Sequence, residues 1–242
     1  MGRIGGVTLP PMQVHQTPTL LLTRPRAASE RFSAGISGAD VVISPLMEIV
    51  ATGANITLDG ITGLVLTSEN AVRFAPSADL PAFCVGPRTA DAARVAGFVA
   101  EVMGPDANGL VRQLAARHPA GPLLHIHGTH TRGDVAGRLS AAGIETRSVI
   151  AYDQQKVTPD ATFHGALARP HLIIPLFSPR SADLFAKAAP VLPKDALILA
   201  LSQAVADALP EVMQAQTQVV AAANGAGMSA AMQRYGIVRN SP

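Results

Sequence analysis

Short apolar runs that break at a hydroxyl, glycine or proline recur along the chain. Leu20–Leu22 stops at Thr23-Arg24-Pro25, Val41–Ile43 at Ser44-Pro45, Leu64–Leu66 at Thr67-Ser68, and Phe83–Val85 at Gly86-Pro87. Val99–Met103, Leu123–His127, Glu145–Tyr152, Leu172–Phe177 (interrupted by Pro175), Ala196–Leu201 and Val219–Ala222 continue the series. Runs this short and this apolar read as strands, and most are followed by a helix-like segment. These segments are Ala27–Ala34, the residues after Ser68 and after Gly86, Gly109–Arg117 capped by Asp106 or Asn108, and Val135–Ala142 closed by Gly143. His164–Ala168, a helix from Ser178-Pro179 to about Ala188, Ala204–Leu209 opened by Ser202, and Gly227–Tyr235 complete the set. Ser as N-cap, Pro at the first helical position and Gly just past the end are the expected helix boundaries. Strand and helix alternate almost strictly, which predicts an α/β protein with parallel sheets and right-handed crossovers. Met47–Thr57 and Asp153–Thr158 are mixed or polar and read as connectors. Leu64–Phe98 is the densest stretch: two strand ends and two helix starts meet there, on the sheet edge where ligands bind.

The pattern also repeats. LVLTSENAVRF is echoed by IPLFSPRSADLF, FCVGPRTADAARVAGF by LILALSQAVADALPEV, and PDANGLVRQLAAR by AAANGAGMSAAMQ, with LLLTRPRAASERF loosely like LLHIHGTHTRGDVAGRL. The first member of each pair lies before His118 and the second after it, so two similar α/β domains are expected. Taken alone, a tandem repeat would divide near His118–Gly121.

Composition narrows the class. At 242 residues two domains are the better prior, and 48% apolar residues supply a large core. A net charge of +2 without a basic stripe argues against a nucleic-acid partner. Cys84 stands alone inside an apolar run, so no disulfide framework exists within one chain. That fits a reducing cytoplasm, with the thiol buried and inert. No run approaches the ~18 apolar residues of a membrane span, and none has the form of a signal peptide. Met1–Pro18 lacks periodicity and reads as a flexible extension, with Met12 a second candidate start.

No dinucleotide fingerprint, P-loop or nucleophile elbow is present. His125, His127 and His130 are the most metal-like group, and His125 and His127 would share one strand face. They lack a Cys or carboxylate set at ligand spacing, so no metal is expected. The recurring chemical feature is a hydroxyl at a strand-to-helix turn: Thr23, Ser68, Thr89, Ser178 and Ser202, with Asn70, Ser181 and Gln203 close by. Helix N-termini offer free N–H groups and partial positive charge, so several facing one cleft would bind a polyanion. Each hydroxyl is equally readable as an N-cap stabilising its own helix by about 1 kcal/mol. Tyr152 has two readings as well, a proton donor facing a cleft or a strand-end tyrosine covering the core.

Together the pieces resemble the uroporphyrinogen-III synthase family, from about Leu20 to the C-terminus. The matching residues are LLLTRP (Leu20–Pro25), ISPLMEI (Ile43–Ile49), LVLTSENAV (Leu64–Val72), CVGPRTADAA (Cys84–Ala93), the loop Gly128–Asp134, VIAYD (Val149–Asp153), LFSPRSADLF (Leu176–Phe185) and ALSQAVADAL (Ala200–Leu209). Each is weak alone; the ordered set is specific.

The resemblance implies two α/β domains interleaved along the chain and joined by a two-stranded connector, with the active site in the cleft between them. The expected division is 1–18 as extension, 19–46 with 157–242 as one domain, and 47–151 as the other, with crossings near 46–56 and 152–158. A sheet joining Leu20–Ile43 to Leu172–Leu201 would support interleaving; one joining it to Leu64–Val85 would exclude it. The implied reaction is cyclisation of hydroxymethylbilane to uroporphyrinogen III, with loss of water, inversion of ring D and no cofactor. By the same resemblance Tyr152 is the candidate proton donor, and Thr89 has an orienting or carboxylate-binding role. Arg24, Ser68, Asn70, Gly86, Arg132, Ser178, Ser181, Ser202 and Gln203 join Thr89 as the expected substrate-binding set. The chain departs from the family in having Ala204 and Val205 where many members carry a hydroxyl near Ser202. A cytoplasmic monomer acting on a polycarboxylate tetrapyrrole, away from membrane and nucleic acid, is the resulting expectation. The alternative is a two-domain small-anion binding or sensor protein without catalysis.

Overall fold

The structure is a computed structural model that describes residues 17–131 and 133–239. The expected flexible stretch Met1–Pro18 and the site candidate Arg132 therefore fall, the first largely and the second wholly, outside the described residues.

In chain order the elements begin with β1 (Thr19–Leu22), α1 (Arg26–Ser33), β2 (Ile36–Ser37), β3 (Asp40–Ile43) and β4 (Met47–Ala51). Next come β5 (Gly63–Leu66), α2 (Glu69–Val72), β6 (Pro81–Val85), α3 (Gly86–Val95), β7 (Val99–Gly104), α4 (Ala107–Arg117), β8 (Leu123–Gly128), α5 (Val135–Ala141) and β9 (Thr146–Lys156). The chain ends with α6 (Ala161–Leu167), β10 (Leu172–Leu176), α7 (Pro179–Ala188), β11 (Leu197–Ala200), α8 (Gln203–Ala206), α9 (Glu211–Gln214), β12 (Thr217–Val219), α10 (Gly225–Gln233) and β13 (Val238–Arg239). Two compact units result: one takes the chain up to Glu48 and again from Lys156, the other Ile49–Gln155. The chain crosses between them within β4 and at the end of β9, strands that are neighbours in one sheet.

The first unit holds a parallel sheet in the order β12-β11-β10-β1-β3. Thr19 and Leu20 of β1 pair with Leu172 and Ile173 of β10, so strands from both ends of the chain share this sheet and the architecture is interleaved. Alternate residues face opposite cores, as the strand period of two requires. Leu21, Ile174 and Ile198 enter one cluster, and Leu20, Leu22, Ile173 and Leu199 the other. Both faces are covered, which is why these strands are continuous apolar runs and do not alternate. Pro175 does not interrupt β10. Its pairing with β1 ends at Ile173, while pairing with β11 continues through Pro175 opposite Leu199. The missing N–H thus falls beyond the end of one ladder.

The second unit repeats the plan. Its sheet runs β4-β9-β8-β5-β6-β7, and β9 through β7 are parallel. Leu64, Leu66, Cys84 and Ile126 face one core, and Val65, Phe83, Met103 and Leu123 the other. Burial pushes the Cys84 thiol up to about 11, against the opposing pull of Arg94, so it stays protonated. The order β7-β6-β5-β8-β9 corresponds strand for strand to β12-β11-β10-β1-β3. In each unit three strands run from the centre to one edge in chain order (β10-β11-β12 and β5-β6-β7), and the equivalent pair β1-β3 or β8-β9 lies on the other side. This is the physical source of the sequence echoes.

Three expectations are corrected. The polar segment after Tyr152 is strand as far as Lys156. The last strand of the first sheet is Thr217–Val219 rather than Val219–Ala222, because the chain turns into bends from Ala221. The helix after Ser202 is only Gln203–Ala206, and α9 follows Pro210 as a separate turn.

Candidate active site

In an open parallel sheet the strand order reverses at one point, and a crevice opens there at the carboxyl ends of the strands. In the second unit that point lies between β5 and β8. β5 delivers Thr67 and Ser68, and β8 delivers His127 and Gly128. These residues line a cavity of about 220 Å³ together with His130, Thr131, Tyr152 and Gln154. Ser68 is the N-cap of α2 and its hydroxyl accepts the Asn70 amide at 3.2 Å. Asn70 itself is not in the cavity lining; its backbone N–H bonds the Ser68 hydroxyl.

Tyr152 reaches the cavity because β9 is irregular. His127 pairs with Ile150 and Gly128 with Tyr152, so Ala151 is an extra residue. Such a bulge re-aims the following side chain. Ala151 and Tyr152 consequently both face the same core, and Tyr152 is only 4% exposed. Its ring stacks on Phe74 with centroids 5.3 Å apart and lies against the backbone of Gly128. Burial pushes the phenol up, and hydrogen bonding from Ser68 and the Gly128 backbone partly offsets this. The result is a protonated phenol at the cavity wall, the form a general acid requires.

The histidines behave differently from a metal set. His125 and His127 share a strand face and stack with centroids 4.6 Å apart. Nε2 of His125 is 3.2 Å from the Thr67 hydroxyl. Burial above all, and then the neighbouring His127, holds His125 down to about 3, against the pull of Asp134. His130 stands 3.7 Å from Asp153. Among the described residues no group of three or more His, Cys, Asp or Glu side chains is placed to hold a metal ion.

Gly86 opens α3 with φ of 68°, a conformation for which glycine is suited, and Thr89 is buried in the first turn of that helix. Neither lines the cavity around Tyr152. In the first unit the strand order reverses between β10 and β1, which end beside Ser178 and Arg24. The Arg24 guanidinium lies 4.4 Å over the Phe177 ring. Ser178 and Ser181 form a capping box, with the Ser178 hydroxyl accepting the Ser181 amide at 3.1 Å and the Ser181 hydroxyl bonded to the Ser178 amide at 3.0 Å. Ser202 occupies an N-cap position, but its hydroxyl makes no capping bond. The Gln203 amide donates to Asp207 at 2.8 Å, along its own helix.

A family model described as uroporphyrinogen-III synthase HemD matches residues 30–237. The chain belongs to the uroporphyrinogen-III synthase family. Its structure is similar to the uroporphyrinogen-III synthetase of Helicobacter pylori 26695, with a TM-score of 0.64 at 14% identity, covering 89% of this chain and 99% of that one. The wild-type uroporphyrinogen III synthase of the extremely thermophilic bacterium Thermus thermophilus superposes with a TM-score of 0.39 at 15% identity, covering 90% of this chain and 98% of that one. The first of these supports the shared fold. No curated protein sequence gives a significant match.

For this member of the synthase family, sequence reasoning overlooked His127, Thr131 and Gln154 as cavity residues. The signal was present for His127: it stands near the end of the strand that borders β5 at the reversal of strand order, and the β5–β8 register brings it level with Thr67. It was weighed only with His125 and His130 as a metal set, and that reading was set aside.

Proposed function

We propose that this chain is a uroporphyrinogen-III synthase, converting hydroxymethylbilane to uroporphyrinogen III with loss of water and inversion of ring D. The family match over residues 30–237 carries the proposal. The protonated, buried phenol of Tyr152 at a cavity rich in hydrogen-bond donors is consistent with it.

In this reading Tyr152 gives its proton to the departing hydroxyl of the substrate. Water leaves, and the cation left behind is delocalised into a pyrrole ring. Ring D attacks through its already substituted carbon, forming a spiro intermediate that reopens and closes in the inverted sense. A proton is lost on final aromatisation, so the net change is one water released. The steps demand mainly that a flexible chain be held in the rearranging conformation, which is an orientation effect. Excluding water protects the cation. Acetate and propionate arms of the substrate suit turn amides and hydroxyls such as those at Ser68.

Incubation with freshly prepared hydroxymethylbilane, followed by separation of the isomers, tests the proposal. Isomer III in excess over the spontaneous product is expected. Isomer I alone, at every protein concentration, would refute it.

A further inference from the structure

We infer that His127 and the cavity it borders form a subsite for one carboxylate arm of the substrate, an assignment that rests on the synthase reading above. Among the described residues the lining of the cavity beside Tyr152 holds no carboxylate: Thr67, Ser68, Thr131, Gln154 and His127 supply its polar side chains, with His130 and Tyr152. Every one of these groups can donate a hydrogen bond. A second cavity of about 430 Å³ also has His127 in its lining, but Asp134 lines it too, which disfavours an anion there. His127 and Thr131 are common to both linings.

The imidazole is set up for an anion. Nδ1 of His127 lies 2.9 Å from the Gly128 carbonyl, which can only accept, so Nδ1 carries a proton. Nε2 is the nitrogen left to meet a carboxylate, and an imidazolium donating there makes a charge-assisted bond. The stacked neighbour His125 is buried and bonded to Thr67, so it is turned to its own partner. His130 does not compete for the anion, because Asp153 stands beside it.

The test pairs two assays on the full chain and on the variants His127→Gln and Thr131→Val, each first checked for wild-type circular dichroism and melting. Calorimetry with uroporphyrin III, an octacarboxylate probe, reads binding without turnover. Isomer analysis with hydroxymethylbilane reads KM and kcat. His127→Gln is expected to weaken probe binding and raise KM by about tenfold, the scale of one charge-assisted hydrogen bond, with kcat little changed. Thr131→Val should show a smaller loss in the same direction, and it serves alone if His127→Gln fails to fold. Unchanged affinity and KM in the folded variants would overturn the subsite while leaving the synthase standing. A wild-type protein that binds the probe through His127 but forms no isomer III would overturn the synthase and retain a carboxylate site. Absence of both binding and isomer III would overturn both.

Discussion

The ring of Tyr152 rests on Gly128 so closely that a Cβ added to the glycine would stand 2.7 Å from Cζ of the phenol. These residues are direct partners across the β8–β9 ladder, immediately after the bulge at Ala151. The glycine is therefore the seat of the ring, and Gly128→Ala must displace the phenol or the strand. Overpacking of this kind costs about 1–3 kcal/mol, to be read by urea denaturation. Turnover should fall with it, because the hydroxyl moves away from the position set by Ser68 and the Gly128 backbone.

Tyr152→Phe removes the phenolic O–H and leaves the ring seat intact. If the phenol protonates the leaving hydroxyl, kcat should fall by about 10²-fold or more while KM changes little. Burial raises the phenol above its ordinary value of 10.0, so the acid form persists through neutral and mildly alkaline pH. The wild-type rate should accordingly show no loss from this group until above about pH 10. A pH–rate profile of wild type and variant checks both points, and an unchanged kcat in the variant excludes the role.

Much of this architecture is legible in the residues themselves. Leu20–Leu22 and Leu64–Leu66 announce strands because their sheets are covered on both faces, so no polar alternation dilutes the signal. Ser178-Pro179 marks a helix start because cap and first-turn chemistry are local. The path of β9 is less legible. Asp153-Gln154-Gln155-Lys156 are half-buried or exposed, and strand geometry there comes from the connection between units, not from burial. Nor does any residue type mark the bulge at Ala151, which is a matter of register between two distant segments. Without it the inward aim of Tyr152 is invisible, and so is the wall it forms with Ser68 and His127. Interleaving is equally nonlocal: nothing in Thr19-Leu20 states that the partner strand lies at Leu172-Ile173.

Ser178 and Ser202 look alike in sequence and differ in structure. The Ser178 hydroxyl closes a capping box, whereas that of Ser202 makes no capping bond. Ser178→Ala should lower unfolding free energy by about 1 kcal/mol, the ordinary value of an N-cap. Ser202→Ala should stay within about 0.5 kcal/mol of wild type. If the uncapped hydroxyl of Ser202 meets a substrate carboxylate, its loss should appear in KM. Denaturation curves and steady-state kinetics on the two variants separate structural from binding hydroxyls.

His125 makes a prediction about acid stability. Its folded-state value is lowered from 6.5 to about 3, chiefly by burial and next by His127. Below pH 6.5 the unfolded chain takes up a proton at this position that the folded protein refuses. Stability must therefore rise with pH across this window, and it is lost as the pH falls from about 6.5 toward 3. Between pH 7.5 and 5.5 this one group should cost about 1 kcal/mol of unfolding free energy. His125→Gln, which keeps a hydrogen-bonding side chain beside Thr67, should remove that increment although it lowers stability at neutral pH. Urea denaturation of both proteins at the two pH values measures the difference. An equal pH dependence in wild type and variant would show that His125 is not held neutral.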